Sequence, residues 1–489
     1  MKISRVIIKN YRNLKSVEVD LGNIVTLIGE NNSGKSNFLR ALSIPLLSDD
    51  SGISKRLSWY DINREIKEDY YSFLNENKDH ILDGSLTVEQ FLHVLPEVTI
   101  KLYFQPNEDE HYDVSEILCE DETGHWVGGI CYRYYVSKPE ELLKRVRHIL
   151  SSDSYNQRTQ MSLLPMELFA VSITVPEKEK RISYETLAKF RSVELPAERD
   201  SFASSADKLG SKALSDLLQK GLTPDSQVKI EEKYTEFFDT IRKEGKLDTV
   251  LNWQDYSDIP NAQDFFREIS ILPNMPQMYS IIGSVRLGYE NDNMFAQGLG
   301  HRNLILMAVI LNSYINKARD ISFRLMTIEE PEAHLCSSNI QLMISLITLF
   351  RQKNSYTQIV YSTHNAEFVN KIGLENVIVF HNGAAFNLGK ELTDAERDYL
   401  SANPNTDIFK LFYSRKAILV EGITEELLIK SYLFKIKTDD NKMSHLLYVA
   451  LTRSTDYLTI LIPQDVEASF TRTFILTFFE RYSVSLYTP

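Results

Sequence analysis

Gly29-Glu30-Asn31-Asn32-Ser33-Gly34-Lys35-Ser36 fits the pattern G-x-x-x-x-G-K-[ST], in which each residue type has a task toward a polyphosphate. Gly29 and Gly34 let the backbone curl so that the N–H groups of Asn31, Asn32 and Ser33 converge on phosphate oxygens. Lys35 adds a cation for the terminal phosphates, and Ser36 offers a hydroxyl to Mg²⁺. Asn37 follows at the start of a helix whose dipole favours an anion. The flanks have the right character. Ile24–Ile28 is a β-branched apolar run, and Asn37–Leu42 reads as helix. The segment therefore predicts a nucleotide triphosphate site.

Hydrolysis needs partners for such a loop, and three candidates follow along the chain. Arg324–Ile328 is an apolar strand running into Glu329-Glu330-Pro331-Glu332-Ala333-His334. A carboxylate at a strand end can hold Mg²⁺ and its neighbour can polarise an attacking water, so Glu329 is assigned to the metal and Glu330 to the water. The same run also reads as a solvated acidic turn after a core strand. Gln358–Tyr361 is a second buried strand, ending in Ser362-Thr363-His364-Asn365. His364 would lie beside the phosphate loop if the strands are neighbours in a parallel sheet, and could then sense the γ-phosphate. Phe295–Arg302 carries Gly298 and Gly300 ahead of an apolar helix, Asn303–Leu311, an arrangement that can hold an anion.

These groups are scattered over more than 300 positions, so the elements between them must fold back on one another. The chain has 489 residues, enough for two or three domains, with an ordinary 43% hydrophobic and 25% charged composition. Residues 1–45 read strand, turn, strand, phosphate loop, helix. Residues 46–95 read as a polar insertion with helical stretches. Strand-like runs follow at Glu97–Phe104, Gly129–Val136 and Leu168–Val175. The region 205–270 reads as charge-rich helix, and strands and helices alternate again from 278 to 385. A polar stretch, Ser401–Asp407, separates a C-terminal unit that begins near Leu411.

No apolar run approaches a membrane span, and the charged, alternating N-terminus does not read as a signal peptide. Cys119, Cys131 and Cys336 fit neither a metal spacing nor a disulfide framework, and the expectation is a cytoplasmic protein. The net charge of −13 works against broad contact with nucleic acid, though a local basic groove remains compatible with it. Lys144-Arg145-Arg147 and Lys178-Lys180-Arg181 are the basic clusters, and each also reads as a solvated surface.

Taken together, the opening Asn10-Tyr11-Arg12-Asn13-Leu14, the phosphate loop, Glu329–Leu335 and Ser362–Asn365 resemble ABC-type ATPase heads of the RecF/SMC kind. They are most similar to the overcoming-lysogenization-defect (OLD) family, Gabija-like members included. Glu194–Asp200 also resembles a stretch between the two halves of such heads. The resemblance covers most of 1–45, 160–205 and 280–400. It implies an α/β P-loop head over 1–410 with ATP and Mg²⁺ bound between two protomers. Gly298 and Gly300 would contact ATP in trans, and His364 would be the switch histidine. The usual aspartate before the catalytic glutamate is Glu329 here. The helical region 205–270 would be the family's dimerisation insertion, or a simple helical decoration.

In the C-terminal unit, Lys416–Val420 is an apolar strand followed by Glu421, Gly422 and a helix carrying Glu425. This resembles the first motif of a Toprim nuclease domain, which implies divalent metal, Mg²⁺ or Mn²⁺, at Glu421 and Glu425 and DNA as substrate. An N-terminal acid pair on a helix after a core strand has the same appearance. No D-x-D follows. Asp465-Val466-Glu467 is the nearest substitute, so 411–442 reads as a partial Toprim unit. His445–Ser454 resembles the sixth motif of UvrD-like helicases, with Arg453 as an arginine finger, and 443–489 reads as a helicase-derived tail or a fortuitous strand. The resemblance implies an ATP-regulated DNA endonuclease of antiphage defence, a homodimer or larger, with a UvrD-like helicase as a possible kind of partner. The alternative is an ATPase that controls a separate effector.

Overall fold

The computed structural model describes residues 1–49, 56–106, 114–121, 124–151, 160–178, 180–197, 209–245, 278–283, 285, 287–289, 292–294, 297–315, 320–354, 356–365, 367–369, 373–402, 448–450 and 459–461. The chain divides into one unit of residues 1–28 and 32–403 and a second of 29–31 and 404–489.

The first unit is built on two sheets. In the antiparallel one, β1 (Lys2–Tyr11) pairs with β2 (Leu14–Asp20) and, on its other side, with β5 (Val98–Gln105). Next comes β7 (Trp126–Val136), which pairs with both β6 (Leu118–Glu120) and β8 (Phe169–Thr174). The N-terminal alternation predicts one strand, a turn and the loop strand. The structure instead reverses the chain at Arg12-Asn13, with Asn10 and Arg12 at positive φ, and makes a hairpin of it. Asparagine tolerates the left-handed region, and Arg12 is held there by a backbone N–H donated to the Asp61 carbonyl.

The second sheet has seven strands in the order β15 (Ala384–Asn387), β14 (Val377–His381), β3 (Ile24–Gly29), β13 (Thr357–Ser362), β12 (Phe323–Glu329), β9 (Phe190–Leu195), β4 (Leu47–Ser48). From β3 to β4 the recorded pairings are parallel, whereas β14 and β15 form an antiparallel hairpin. Every residue of β3 and β13 is buried, as strands covered on both faces require. Alternate side chains feed two cores. Val25, Leu27, Leu325 and Val360 pack with the helix α1 (Lys35–Ser43) and the antiparallel sheet. Ile24, Met326, Ile328, Ile359 and Tyr361 pack instead against the helices Leu299–Ser313 and Ser337–Lys353.

The expected helical stretches of 46–95 are present at Arg64–Glu76, Lys78–Asp83 and Val88–Leu92. In 205–270 the helices are Leu209–Gly221 and Pro224–Glu244, and residues 246–277 lie outside the described set. Lys144 and Arg145 are exposed on the helix Pro139–Leu150, as a solvated face predicts, while Arg147 turns its Nε to donate to the Ile81 carbonyl. No helix among the described residues is long and apolar enough to cross a membrane.

In the second unit, β16 (Tyr448–Ala450) pairs antiparallel with β17 (Thr459–Leu461). β16 lies within His445–Ser454, the segment that resembles a helicase motif or is a fortuitous strand. Glu421, Glu425, Arg453, Asp465 and Glu467 lie outside the described residues.

Candidate nucleotide site

The parallel register decides what can meet at the sheet edge. Leu27 is opposite Ser362 and Ser362 is opposite Glu329, so β13 and β12 end level with one another and β3 runs two residues further. The carboxyl ends of parallel strands are where open α/β sheets bind ligands. His364 therefore follows a strand directly beside the one that leads into the loop, the adjacency that its sequence position left as a condition.

In the loop, Asn32 (φ 63°) and Gly34 (φ 121°) take left-handed conformations. A Cβ on Gly34 would stand 2.8 Å from Leu14 Cδ2, so this glycine is required by both φ and space. The helix α1 begins with Lys35, has no side-chain cap on its N-cap Gly34, and carries no acid in its first turn. The positive end of the dipole at such an N-terminus suits an anion. Lys35 is buried, Ser36 is exposed, and Ser33 Oγ is buried without a hydrogen-bond partner among the described residues. An orphaned hydroxyl beside a helix N-terminus fits a ligand that brings acceptor oxygens.

Across the edge, Glu330 has φ 43°, strained for a residue with a side chain, and its N–H donates to the Ser362 carbonyl at 3.0 Å. His364 Nε2 lies 3.6 Å from Glu330 Oε1. Burial lowers the His364 pKa from its ordinary 6.5, the nearby Lys35 cation lowers it further, and Glu330 opposes both. The fold thus favours neutral imidazole. The unfolded chain binds the proton more readily, so stability falls as pH drops from about 6.5 through the lowered folded value. Urea midpoints of wild type and His364→Gln, taken at about pH 7.5 and about pH 5.5, should show the steeper acid loss in wild type.

Glu332 is a site residue that the sequence reading passed over. Its Oε1 accepts from both Thr363 Oγ1 and the His364 N–H, each at 2.7 Å. The signal existed only as strand adjacency, which a linear pattern does not carry.

Gly298 and Gly300 divide in role. The helix starts at Leu299, earlier than the predicted Asn303, with Gly298 as its N-cap and open space around it. Gly300 lies in the first turn, where a Cβ would stand 2.5 Å from the His334 carbonyl oxygen. Asn303, buried in the same helix, donates from Nδ2 to the Ala333 carbonyl at 2.8 Å. This helix is therefore keyed to the turn that carries Glu330. Gly300→Ala should push backbone against backbone and destabilise the protein by about 1–3 kcal/mol, read as a lower urea midpoint with unchanged m-value.

Beside the loop, the β1–β2 turn reaches the start of α1. Arg12 Nη1 donates to Asn37 Oδ1 at 2.9 Å and Arg12 Nε to Asp61 Oδ1 at 2.8 Å, while Asn13 Nδ2 donates to the Asn32 carbonyl at 3.2 Å. Burial pushes the Asp61 carboxyl up, but the Ser58 N–H and hydroxyl together with Arg12 hold it below the usual range. A cleft of 860 Å³ opens here, lined in part by Arg12, Asn37, Tyr60, Lys67 and Asn382. Tyr60 presents an exposed ring at its rim.

Among the described residues no three His, Cys, Asp or Glu side chains stand together as a metal cluster. Ser36 is exposed and Glu329 half-buried, and a hydroxyl and a carboxylate are the oxygen ligand types that a hard cation takes.

A family model described as an AAA ATPase domain matches residues 1–186 and 141–369. A relative, the Endonuclease GajA of Bacillus cereus (strain HuB5-5), is 27% identical over 191 residues, covering 33% of this chain and 27% of the relative. The match thus spans about a quarter of that relative's length. Two solved structures are similar at low TM-score. The SmcHead bound to the C-winged helix domain of ScpA has TM-score 0.36 at 15% identity, over 80% of this chain and 99% of that one. Stu0660 of Streptococcus thermophilus has TM-score 0.39 at 10% identity, over 88% of this chain and 99% of that one.

Proposed function

The chain belongs to the AAA ATPase domain family, and from that premise we propose that it binds and hydrolyses ATP at the edge formed by β3, β13 and β12. The observation that carries the reading is the level register of Leu27, Ser362 and Glu329, which gathers the phosphate loop, His364 and Glu330. The N–H groups of residues 32–35 and the Lys35 ammonium would bind the β- and γ-phosphates, with Ser33 Oγ finding an acceptor there. Mg²⁺, held by Ser36 and Glu329, would neutralise charge on the phosphate oxygens. Glu330 orients the attacking water and accepts its proton, while neutral His364 donates or accepts a hydrogen bond at the γ-phosphate. The cleft beside Arg12 is of a size for the nucleoside, with the Tyr60 ring available to stack on a base. The exposed N-cap Gly298 suits the γ-phosphate of ATP held by a second copy, so the working unit is a homodimer or larger.

We further propose that ATP turnover regulates cleavage of DNA. The similarity to an endonuclease supports this, as does the strand–Glu421–Gly422–Glu425 pattern, with Mg²⁺ or Mn²⁺ at those carboxylates. The test is nicking of supercoiled plasmid with either metal, with and without ATP, by wild type and Glu421→Ala. Nicking that is lost in the variant supports a nuclease in this chain. A second reading, carried by the nucleotide site alone, is an ATPase that governs a separate effector or a UvrD-like helicase. Phosphate release without nicking is the result that reading expects.

A further inference from the structure

Two catalytic candidates, Glu330 and His364, stand 3.6 Å apart, beyond hydrogen-bond reach. Their spacing is therefore set by the backbones that carry them. One backbone leaves β12 and the other leaves β13. Past the last ladder pair, Glu329 with Ser362, a single backbone bond from Glu330 to Ser362 continues the ladder. Beyond it, one side-chain oxygen takes over. Glu332 Oε1 accepts from the Thr363 hydroxyl and from the His364 N–H, spanning 31 and 32 positions of sequence. Its other oxygen, Oε2, is buried with no hydrogen-bond partner among the described residues.

Burying a carboxyl to make a two-point clasp is costly unless the clasp does something that a cheaper side chain does not. A solvated turn would leave Glu332 facing water. Here burial pushes its carboxyl up, the Glu330 charge adds to that, and the two hydrogen bonds only partly offset them. The residue on the other side of the clasp is the candidate γ-phosphate contact.

We propose that Glu332 is a positioning residue for ATP hydrolysis, clasping the Thr363 hydroxyl and the His364 N–H to the turn that bears Glu330. The proposal rests on the ATPase reading above. The clasp acts through His364. A glutamine keeps the oxygen that both donors reach, whereas an alanine removes it.

The test is steady-state ATP hydrolysis by full-length wild type, Glu332→Gln, Glu332→Ala, Thr363→Val, His364→Gln and the double variant Glu332→Ala/His364→Gln. Circular dichroism serves as the folding check. Glu332→Ala should lower kcat about 10- to 100-fold, the scale of a displacement near 1 Å, with KM for ATP held within about twofold. Glu332→Gln should restore most of the rate. Thr363→Val, which removes one of the two donors, should fall between and remains informative if Glu332→Ala does not fold. In the His364→Gln background the alanine should cost little more, because two residues acting as a unit are not additive. Additive losses, or an equal loss in the glutamine variant, would overturn the proposal. Wild type that releases no phosphate, with Lys35→Ala indistinguishable from it, would remove the ATPase reading itself and the clasp's role with it.

Discussion

Lys35→Ala should abolish measurable ATP turnover, with kcat/KM down by at least about 10²–10³, the scale for losing one preorganised electrostatic contact. The substitution leaves in place the backbone turns of the loop and the apolar anchoring of α1. Gly34 and Asn32 hold the left-handed turns, the Phe38 N–H donates to Gly34, and α1 is anchored by buried Phe38, Leu39 and Leu42. The fold should therefore survive, and the loss should fall on the terminal phosphates. One further effect follows from electrostatics. Lys35 helps to hold His364 neutral, so without the cation the imidazole should titrate at higher pH. Phosphate release, fluorescent-nucleotide binding and a thermal melt with and without ATP check the three statements. A variant that hydrolyses ATP at the wild-type rate would place the nucleotide site elsewhere.

Glu330→Gln should separate binding from chemistry. A general base contributes about 10²–10⁴ to rate, so kcat should fall by that range while ATP still binds. Glutamine preserves the shape of the side chain at a residue whose backbone is already strained at φ 43°. It also removes a negative charge that faces His364 and the incoming phosphate. Binding should then equal or exceed that of wild type, and the ATP-bound form should accumulate. Equilibrium ATP binding and single-turnover hydrolysis read the two quantities separately. If the exposed Gly298 meets nucleotide on a second copy, the same variant should run as a dimer with ATP and Mg²⁺ in light scattering. An equal loss of binding and rate would mean that Glu330 holds the structure or the metal and does not activate water.

The elements nearest the phosphates were the most legible in the sequence, because each rests on a short-range rule. A β-branched run, glycines at fixed spacing and a helix start identify the loop without knowledge of the rest. The apolar strands that end in Glu329 and Ser362 are visible for the same reason. Their adjacency was only conditional, and the parallel pairing of β3 with β13 supplied it. What the linear pattern concealed depends on that adjacency. Glu332 looks like one more acid of a polar turn until β13 lies beside it. Gly300 looks like a loop glycine until the His334 carbonyl is seen against it. Arg12 and Asn13 read as the middle of a strand-like run, yet they form the turn that contacts Asn37 and Asn32. For Glu421 and Glu425 the pattern remains the whole argument, since they lie outside the described residues.

The Ile3 N–H donates to the Gln358 side chain, and Gln358 donates back to the Ile3 and Gly22 carbonyls, closing a contact over 355 positions of sequence. β1 and β3 thus wait for β13 while everything between them is synthesised. At about 5–20 residues per second, that interval lasts on the order of tens of seconds on the ribosome. During it the hairpin β1–β2 can pair with β5 and β7, but β3 has no permanent parallel neighbour. A nascent chain stalled before Thr357 would carry a complete phosphate loop on an unpaired apolar strand, a surface that calls for a chaperone. Nucleotide capture is therefore a late event in the life of each molecule, available only after β13 emerges and fills the gap between β3 and β12.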